Sequence, residues 1–373
     1  MRVRGEGYEC AGDRSVTIDR VVVGIVSTRV GEHAPIGSYC EEGAVLAAEE
    51  INAGGGMPTP EGPAPPLLLV HADDEGTSEG AGRAIASLVA HPGLFLVLGP
   101  DLSALTYPTA HLTRQAGVLQ FTSALSSRIT QLGNPWLFRV RPHNGYRAAA
   151  AARFIAEEGF RRLAIVYLNN ELGQDGRANA ERALARAGVA PVFARPIAGA
   201  HEDMGPPVGA VRAAQADAVL YWGTQPAGAA LLRALRAGGW TGKFLSNTMD
   251  DIFLAMAGEA AEGGVGFDCF AYSDPDEGIQ EFRRRFRARW GKEPDAHAVS
   301  NYDALMLLRA AVAAIGPSRD AVRAHLAGGA RFVGVASTYR FDAQGDLRGW
   351  ATVYEIQRRR AIFRAKLTDP VEG

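Results

Sequence analysis

The sequence is poor in cysteine, in net charge and in long apolar runs. Its three cysteines, Cys10, Cys40 and Cys269, cannot all pair with one another, and they lack the close spacing of a zinc site. A formal net charge of −2 over 373 residues gives no general attraction to nucleic acid or to an anionic membrane. No run approaches the roughly 18 apolar residues of a transmembrane helix. We therefore expect free thiols, no nucleic-acid partner and no transmembrane helix.

The N-terminal segment has no apolar core of the kind that an export signal needs. Residues 1–17 are polar and predict an extended leader, and the residues before Cys10 are not those expected ahead of a lipidated cysteine. Two locations follow. The protein is periplasmic or in the cell envelope if a signal peptide is missing from this chain, and otherwise it is cytoplasmic.

Two short apolar segments end in small hydroxyl residues. Leu94–Leu98 ends shortly before Ser103, and residues 118–121 run into the segment 122–127, which contains Ser126. Such segments, separated by one helix, predict neighbouring parallel strands that are buried on both faces and open on the same sheet edge. There the two serines would lie beside helix N-termini, whose free N–H groups favour an anion. We therefore expect a site for a small, carboxylate-bearing molecule.

The rest of the chain repeats an α/β pattern. Strands and helices alternate from residue 21 to residue 122 and again from residue 163 to residue 270, with residues 28–37 and the proline-rich residues 57–66 as loops. We predict an α/β fold with two similar doubly wound, Rossmann-like lobes joined by a multi-strand hinge. The predicted boundaries are 18–141 plus 269–337 for the first lobe, 142–268 plus 338–367 for the second, and 1–17 for the leader.

The last third of the chain is too small to form another lobe. We expect its helices, within 276–327, to return to the first lobe. Antiparallel strands at 339–341, 351–356 and 361–367 would join the second lobe. The chain would then cross between the lobes several times, and such an arrangement makes a hinge.

The order of several short motifs resembles a known family. They span residues 20–365 and include Val23-Gly24-Ile25, Ala48-Glu49-Glu50-Ile51-Asn52-Ala53-Gly54-Gly55, Leu98-Gly99-Pro100, Asn301-Tyr302-Asp303-Ala304 and Phe341-Asp342-Ala343-Gln344-Gly345-Asp346-Leu347. The chain resembles type I periplasmic binding proteins of the leucine/isoleucine/valine-binding branch, which also includes amide- and urea-type receptors. The resemblance implies a two-lobed clamp that closes on a branched-chain-type amino acid or an amide-like small carboxylate. It further implies presentation of that ligand to the membrane subunits of an ABC permease, with no catalytic residue, cofactor or metal.

The resemblance also implies the residues that hold the ligand. The carboxylate would be held on the first lobe by Ser103, Ala124 and Ser126. The other predicted ligand-binding residues are Ile36, Asn144, Leu172, Thr224, Gln225, Thr248 and His297.

Asn144 falls where several members of the family have an acidic partner for the ligand's amine. An amide cannot supply a negative charge, and an ammonium group without a carboxylate is costly in a closed cleft. Either Asp250 or Asp101 takes that role, or the ligand is not a plain α-amino acid.

Two alternative functions remain open. A cytoplasmic amide- or amino-acid-sensing regulator would use the same cleft and pass its closure to a partner. The less favoured alternative is a serine hydrolase, which the G-x-S-x-G pattern around Ser78 suggests. Several polar residues separate Ser78 from the preceding strand, and Glu79 would place a carboxylate where negative charge develops, so a plain helix start is favoured.

A run of arginines between residues 283 and 289 is interleaved with Phe282, Phe286 and Trp290 at helical spacing. This pattern predicts one helix with a buried aromatic side and a solvated basic face, rather than a nucleic-acid contact.

Overall fold

The first lobe is built from short strands rich in Val, Ile, Leu and Phe, which form a parallel sheet with helices on both faces. The computed structural model describes residues 19–60, 62 and 64–368. Its first sheet has the order β2-β1-β3-β4-β5 and is parallel throughout. In chain order the elements are β1 (Val21–Ser27), α1 (Ala34–Ala53), β2 (Leu67–Asp73), α2 (Ser78–Val89), β3 (Leu94–Leu98), α3 (Ser103–Ala116), β4 (Leu119–Thr122) and β5 (Leu137–Arg139).

The second lobe repeats this construction. The elements are α4 (Asn144–Glu158), β6 (Leu163–Leu168), α5 (Glu171–Arg186), β7 (Phe193–Ile197), α6 (Gly205–Ala213), β8 (Ala218–Trp222), α7 (Gln225–Ala237), β9 (Lys243–Ser246), α8 (Asp251–Ala257) and β10 (Val265–Asp268). Adjacent strands among β6 to β10 pair in parallel. The predicted α/β class with two doubly wound lobes is confirmed.

The last third of the chain contributes to both lobes. It comprises α9 (Glu277–Trp290), α10 (Ala296–Ile315), α11 (Arg319–Ala327), β11 (Phe332–Val333), β12 (Thr338–Tyr339), β13 (Trp350–Gln357) and β14 (Arg360–Thr368). Helix α10 packs on α1 of the first lobe. Strands β13 and β14 extend the second sheet in antiparallel fashion, which gives the order β14-β13-β10-β9-β8-β6-β7. These positions support the lobe boundaries predicted above, which stay a proposal.

The structure corrects several expectations about single elements. Strand β12 pairs with β11 in a separate two-stranded sheet instead of joining the sheet of the second lobe. The segment 28–37 is a loop only in its first part, because α1 begins at Ala34 with a proline in its first turn. Met57 opens the proline-rich loop but is fully buried.

Cys40 and Cys269 are buried free thiols, whereas Cys10 lies outside the described residues. Within the described chain, α10 is the one helix long and apolar enough to cross a membrane, and 67% of that stretch is buried inside the protein. This burial is that of a core helix.

The arginine-rich face of α9 is neutralised by the chain itself. Arg285 and Arg289 form ion pairs with Glu50 and Glu49 of α1, and Arg283 pairs with Glu293. Phe282 and Phe286 on the other side of the helix are fully buried. The positive charges of this helix therefore support lobe packing.

We expect the contact between α1 and α10 to be intolerant of a single added methyl group. A Cβ at Gly43 would lie 2.0 Å from the carbonyl oxygen of Ala298, so Gly43→Ala must push the helices apart. It should lower the free energy of unfolding by about 1–3 kcal/mol in urea titrations. The matched control is Gly82→Ala within α2, where an added Cβ has no atom within 4 Å. This substitution should raise the free energy of unfolding by about 0.5–1 kcal/mol. Equal effects of the two substitutions would contradict this packing.

Candidate ligand-binding cleft

A cleft lies where the two lobes meet. Its walls come from both lobes and from the segment that follows β5. The lining residues are Ile36, Asp101, Leu102, Ser103, Leu125, Arg141, Leu172, Gly223, Thr224, Gln225, Asn247, Thr248 and His297.

The first-lobe wall presents hydrogen-bond donors at the start of α3. Leu102, the N-cap residue, is extended and makes no side-chain capping bond. The Oγ of Ser103 accepts the backbone N–H groups of Leu125 and Ser126, each at 3.0 Å. Because a hydroxyl has two lone pairs and one proton, Ser103 can then only donate to a ligand. The donors of this wall therefore suit a ligand group that accepts hydrogen bonds, and the helix dipole favours an anionic group there.

Asp101 is the one carboxylate among the described residues that line the cleft. One of its oxygens, Oδ1, accepts a hydrogen bond from the Oγ of Ser123 at 2.5 Å and a long one from the Nδ2 of Asn301 at 3.5 Å. The buried thiol of Cys40 also forms a hydrogen bond with this carboxylate. A negative group two residues from Ser103 can hold the cationic end of a small ligand.

The second-lobe wall is formed by the loops before α7 and α8. Thr224, the N-cap of α7, is extended and makes no side-chain capping bond, so the N–H groups of Gln225 and Ala227 lack a capping partner, whereas Pro226 has no N–H. The side chains of Gln225 and Thr248 donate to Oδ2 of Asp250, at 2.7 and 3.3 Å. Oδ1 of Asp250 caps α8 through the N–H of Phe253.

Asp250 is therefore engaged within its own lobe and does not line the cleft. Burial and the nearby carboxylate of Asp295 raise its pKa.

Arg141 lies at the base of the cleft with only 1% of its surface exposed. Its Nη2 donates to both oxygens of Asp268, at 2.9 and 2.7 Å, and Arg147 binds the same carboxylate. Burial alone would lower the pKa of Arg141, but the charge of Asp268 outweighs it and raises that pKa. Conversely, burial would raise the pKa of Asp268, yet the two guanidinium groups hold it well below its usual range.

His297 faces the cleft from the first turn of α10. Its Nδ1 lies 2.9 Å from Oδ2 of Asp295, the N-cap of that helix, which leaves Nε2 for a ligand. Asp250, Asp295 and His297 place one donor atom each within 4.8 Å of one another, a grouping that could hold a metal ion. Both aspartates already accept the N–H groups of helix termini, which accounts for their placement without a metal.

Seven of the ten predicted site residues line the cleft: Ile36, Ser103, Leu172, Thr224, Gln225, Thr248 and His297. The structure places Ala124, Ser126 and Asn144 outside the lining.

These three have partners elsewhere. The N–H of Ala124 donates to the Oγ1 of Thr122, and the hydroxyl of Ser126 donates to Glu171. Asn144 is fully buried, donates to Asp175 and accepts from the indole of Trp222.

Arg141 and Asn247 are lining residues that the sequence reasoning missed. Asn247 directly follows β9, so the rule that applied to Ser103, a polar residue at the end of a parallel strand, also applies to it. Arg141 carried no such signal, because its position depends on Asp268, which is 127 residues away in sequence.

The loop after β4 connects the first lobe to α5 of the second. The hydroxyl and N–H of Ser127 both donate to Asp175, and Arg128 forms an ion pair with Glu171 at 3.1 Å. These bonds hold the lobes together along one side of the cleft.

Ser78 does not form a nucleophile elbow. Strand β2 ends at Asp73, and Ser78 starts α2 behind the capping residue Thr77. Its hydroxyl donates to the carbonyl oxygen of Ala104 rather than to a base. The geometry is that of an ordinary helix start.

Comparison with known proteins agrees with this architecture. A family model described as "Periplasmic binding protein" matches residues 20–359. An "Amino acid binding protein" of Pseudomonas aeruginosa is 26% identical over 338 residues, which cover 88% of this chain and 87% of the relative. A "Leu/Ile/Val/Thr-binding protein" of Salmonella typhimurium is 28% identical over 249 residues, 66% of this chain and 67% of the relative.

Two solved structures share the fold. An ABC transporter substrate-binding protein of Desulfitobacterium hafniense, in complex with Leu, superposes with a TM-score of 0.79 at 23% identity and covers 92% of this chain and 100% of its own. A solute-binding protein of R. palustris, in complex with benzoate, superposes with a TM-score of 0.84 at 19% identity. The match covers 94% of this chain and 96% of that protein. From the family match and the two-lobed cleft together, the chain belongs to the periplasmic binding protein family and is a solute-binding receptor.

Proposed function

We propose that the cleft binds an amino acid, or an amide-like small carboxylate, and that the lobes close around it. The observation that carries this proposal is the donor-only hydroxyl of Ser103 at the uncapped start of α3, with Asp101 beside it. An α-carboxylate fits the first group and an α-ammonium the second. Relatives whose names give amino acids as ligands support the same chemistry, including a leucine-, isoleucine-, valine-, threonine- and alanine-binding protein of Pseudomonas aeruginosa.

Asp101 is the better of the two candidates for the ammonium. It lines the cleft, whereas Asp250 is occupied by Gln225, Thr248 and the start of α8. Asp101 and Ser103 line the same first-lobe wall, and the carboxylate and ammonium of an α-amino acid are adjacent groups.

Closure follows from the two-sided lining of the cleft. A ligand on the first-lobe wall gains the N–H groups of α7, Leu172 and Thr248 only when the lobes come together. The differential affinity for the closed state drives the movement. The closed receptor would then dock on the membrane subunits of an ABC permease, in the periplasm or cell envelope.

The proposal is tested by titrating amino acids, amides and small carboxylates in a thermal-shift screen, followed by calorimetry. A ligand at 100 times its dissociation constant should stabilise the fold by about 2.7 kcal/mol. Ser103→Ala removes a hydrogen bond to a charged group, so affinity for the best ligand should fall by roughly 10- to 150-fold.

The matched control is Ser38→Ala, which removes an exposed hydroxyl of the same lobe that binds Glu42. It should bind as the parent does. Parent-like affinity of Ser103→Ala would show that the ligand sits elsewhere.

A further inference from the structure

Two buried nitrogen donors of the cleft have no hydrogen-bond partner within the described structure: Nδ2 of Asn247 and Nε of Arg141. Both residues line the cleft, and each exposes only 1% of its surface. A buried donor without an acceptor is costly, so such groups call for a partner. The cleft therefore lacks two acceptors that a ligand can bring.

The orientation of the Asn247 side chain follows from its other contact. Its Oδ1 accepts the N–H of Gly223 at 2.9 Å, and only the oxygen of the amide can match that donor. The backbone N–H of Asn247 also donates to the carbonyl oxygen of Tyr221. The residue is thus held from two sides, and the group left over can only donate.

The guanidinium group of Arg141 is held in the same manner. Its Nη2 is bound by both oxygens of Asp268 at the end of β10, while Nε remains unpaired. Nε belongs to a cation, so its preferred partner is a carboxylate or another strong oxygen acceptor.

Helix α7 adds a third source of positive potential. It is 13 residues long, and its N-cap Thr224 lines the cleft without a side-chain capping bond. Its free N–H groups belong to the second-lobe wall, as does Asn247, whereas Ser103 and Asp101 belong to the first. The cleft therefore offers two separate sets of donors, and an α-carboxylate occupies only one of them.

The apolar part of the lining is aliphatic. Ile36, Leu102, Leu125 and Leu172 contribute aliphatic surface, and none of the described lining residues is Phe, Tyr or Trp. A branched aliphatic side chain could contact these residues but would leave the donors of Asn247 and Arg141 buried without an acceptor.

Resting on the proposed function, the geometry points to an amino acid whose side chain ends in a carboxylate or amide oxygen as the ligand of this cleft. That oxygen accepts from Asn247 Nδ2, Arg141 Nε and the start of α7. The α-carboxylate and α-ammonium bind Ser103 and Asp101 on the opposite wall.

The test is calorimetry of the full chain with L-glutamate, L-glutamine, L-aspartate, L-asparagine, L-leucine, L-isoleucine and L-valine. At least one of the first four should bind tenfold or more tightly than the last three. If leucine, isoleucine or valine binds as tightly as the best polar amino acid, this inference is overturned while the proposed function stands. If no amino acid or small carboxylate binds at all, the proposed function itself fails.

Asn247→Asp identifies the group on the ligand. The new side chain keeps the oxygen that accepts from Gly223 and replaces the free donor by a charged oxygen. Binding of a side-chain carboxylate should weaken by more than tenfold, whereas a side-chain amide should be retained through its own N–H groups. An unchanged ratio of the affinities for L-glutamate and L-glutamine, and for L-aspartate and L-asparagine, would overturn the inference.

Two further variants provide a second test and a control. Arg141→Lys keeps the charge beside Asp268 but lacks Nε, and should also weaken the polar ligand relative to leucine. Asn170→Asp makes the same change at the N-cap of α5, where aspartate caps as well as asparagine, and should leave all affinities unchanged. A loss of polar preference in Asn170→Asp equal to that in Asn247→Asp would contradict the assignment.

Discussion

Asp268→Asn is expected to lower the free energy of unfolding by about 3–5 kcal/mol, a large share of the stability of an ordinary domain. Asp268 is the shared partner of Arg141 and Arg147, and all three residues expose at most 1% of their surface. Removing its charge leaves two guanidinium groups in the interior without a counter-ion. The loss should appear in urea or thermal unfolding followed by circular dichroism.

The pH dependence of this effect has a defined sign. The pKa of Asp268 is well below its usual range in the folded protein, because Arg141 and Arg147 stabilise the carboxylate against the effect of burial. The stability it contributes is therefore present above the unfolded pKa of about 3.9 and is lost as the pH falls towards the folded pKa. The difference between parent and variant should be constant from pH 5 to 8 and shrink below pH 4.

Glu157→Gln is the matched control, since its ion pair with Arg153 on α4 is exposed at both ends. It should change stability by less than about 0.5 kcal/mol. An effect of similar size for Asp268→Asn, or a difference that grows in acid, would contradict the role given to this buried cluster.

Asp101→Asn is expected to weaken binding of an α-amino acid by roughly 30- to 150-fold, equivalent to about 2–3 kcal/mol. The substitution keeps the size of the side chain and an oxygen for the hydroxyl of Ser123, but it removes the negative charge that lines the cleft. Calorimetry should compare the best amino acid with its deaminated analogue. The parent should prefer the amino acid strongly, and the variant should lose most of that preference.

Asp276→Asn serves as control, because it removes one negative charge from the N-cap of α9, outside the cleft lining. Asparagine caps a helix nearly as well as aspartate, so affinity should not change. If Asp250→Asn abolished the preference for the amino group while Asp101→Asn kept it, the ammonium would belong to Asp250 instead.

Much of the fold was predictable because each strand is a short apolar run ended by turn residues. The alternation of strands and helices predicted over residues 21–122 and 163–270 is present in the structure. No element was predicted between residues 122 and 163, where the structure has β5 and α4: three residues are too few to show a period, and Pro142 and Gly145 are residue types typical of loops. Pro142 in fact precedes that helix, and Gly145 lies in its first turn.

The site was predictable to the extent that strand order decides it. The ends of β3, β8 and β9 meet at the cleft, so the residues that follow them could be named in advance. Which polar groups are free there depends on partners distant in sequence. The side chain of Asn144 is hydrogen-bonded to Asp175 and Trp222, and an ion pair with Asp268 positions Arg141. No local pattern carries that information.

The most direct test of the account is a crystal structure of the chain with the best ligand from the screen. We expect the ligand between the lobes, with a carboxylate oxygen at hydrogen-bonding distance, about 2.7–3.0 Å, from Oγ of Ser103 and the first N–H groups of α3. A ligand bound in a different place, with the space between Ser103 and Thr224 empty, would contradict it.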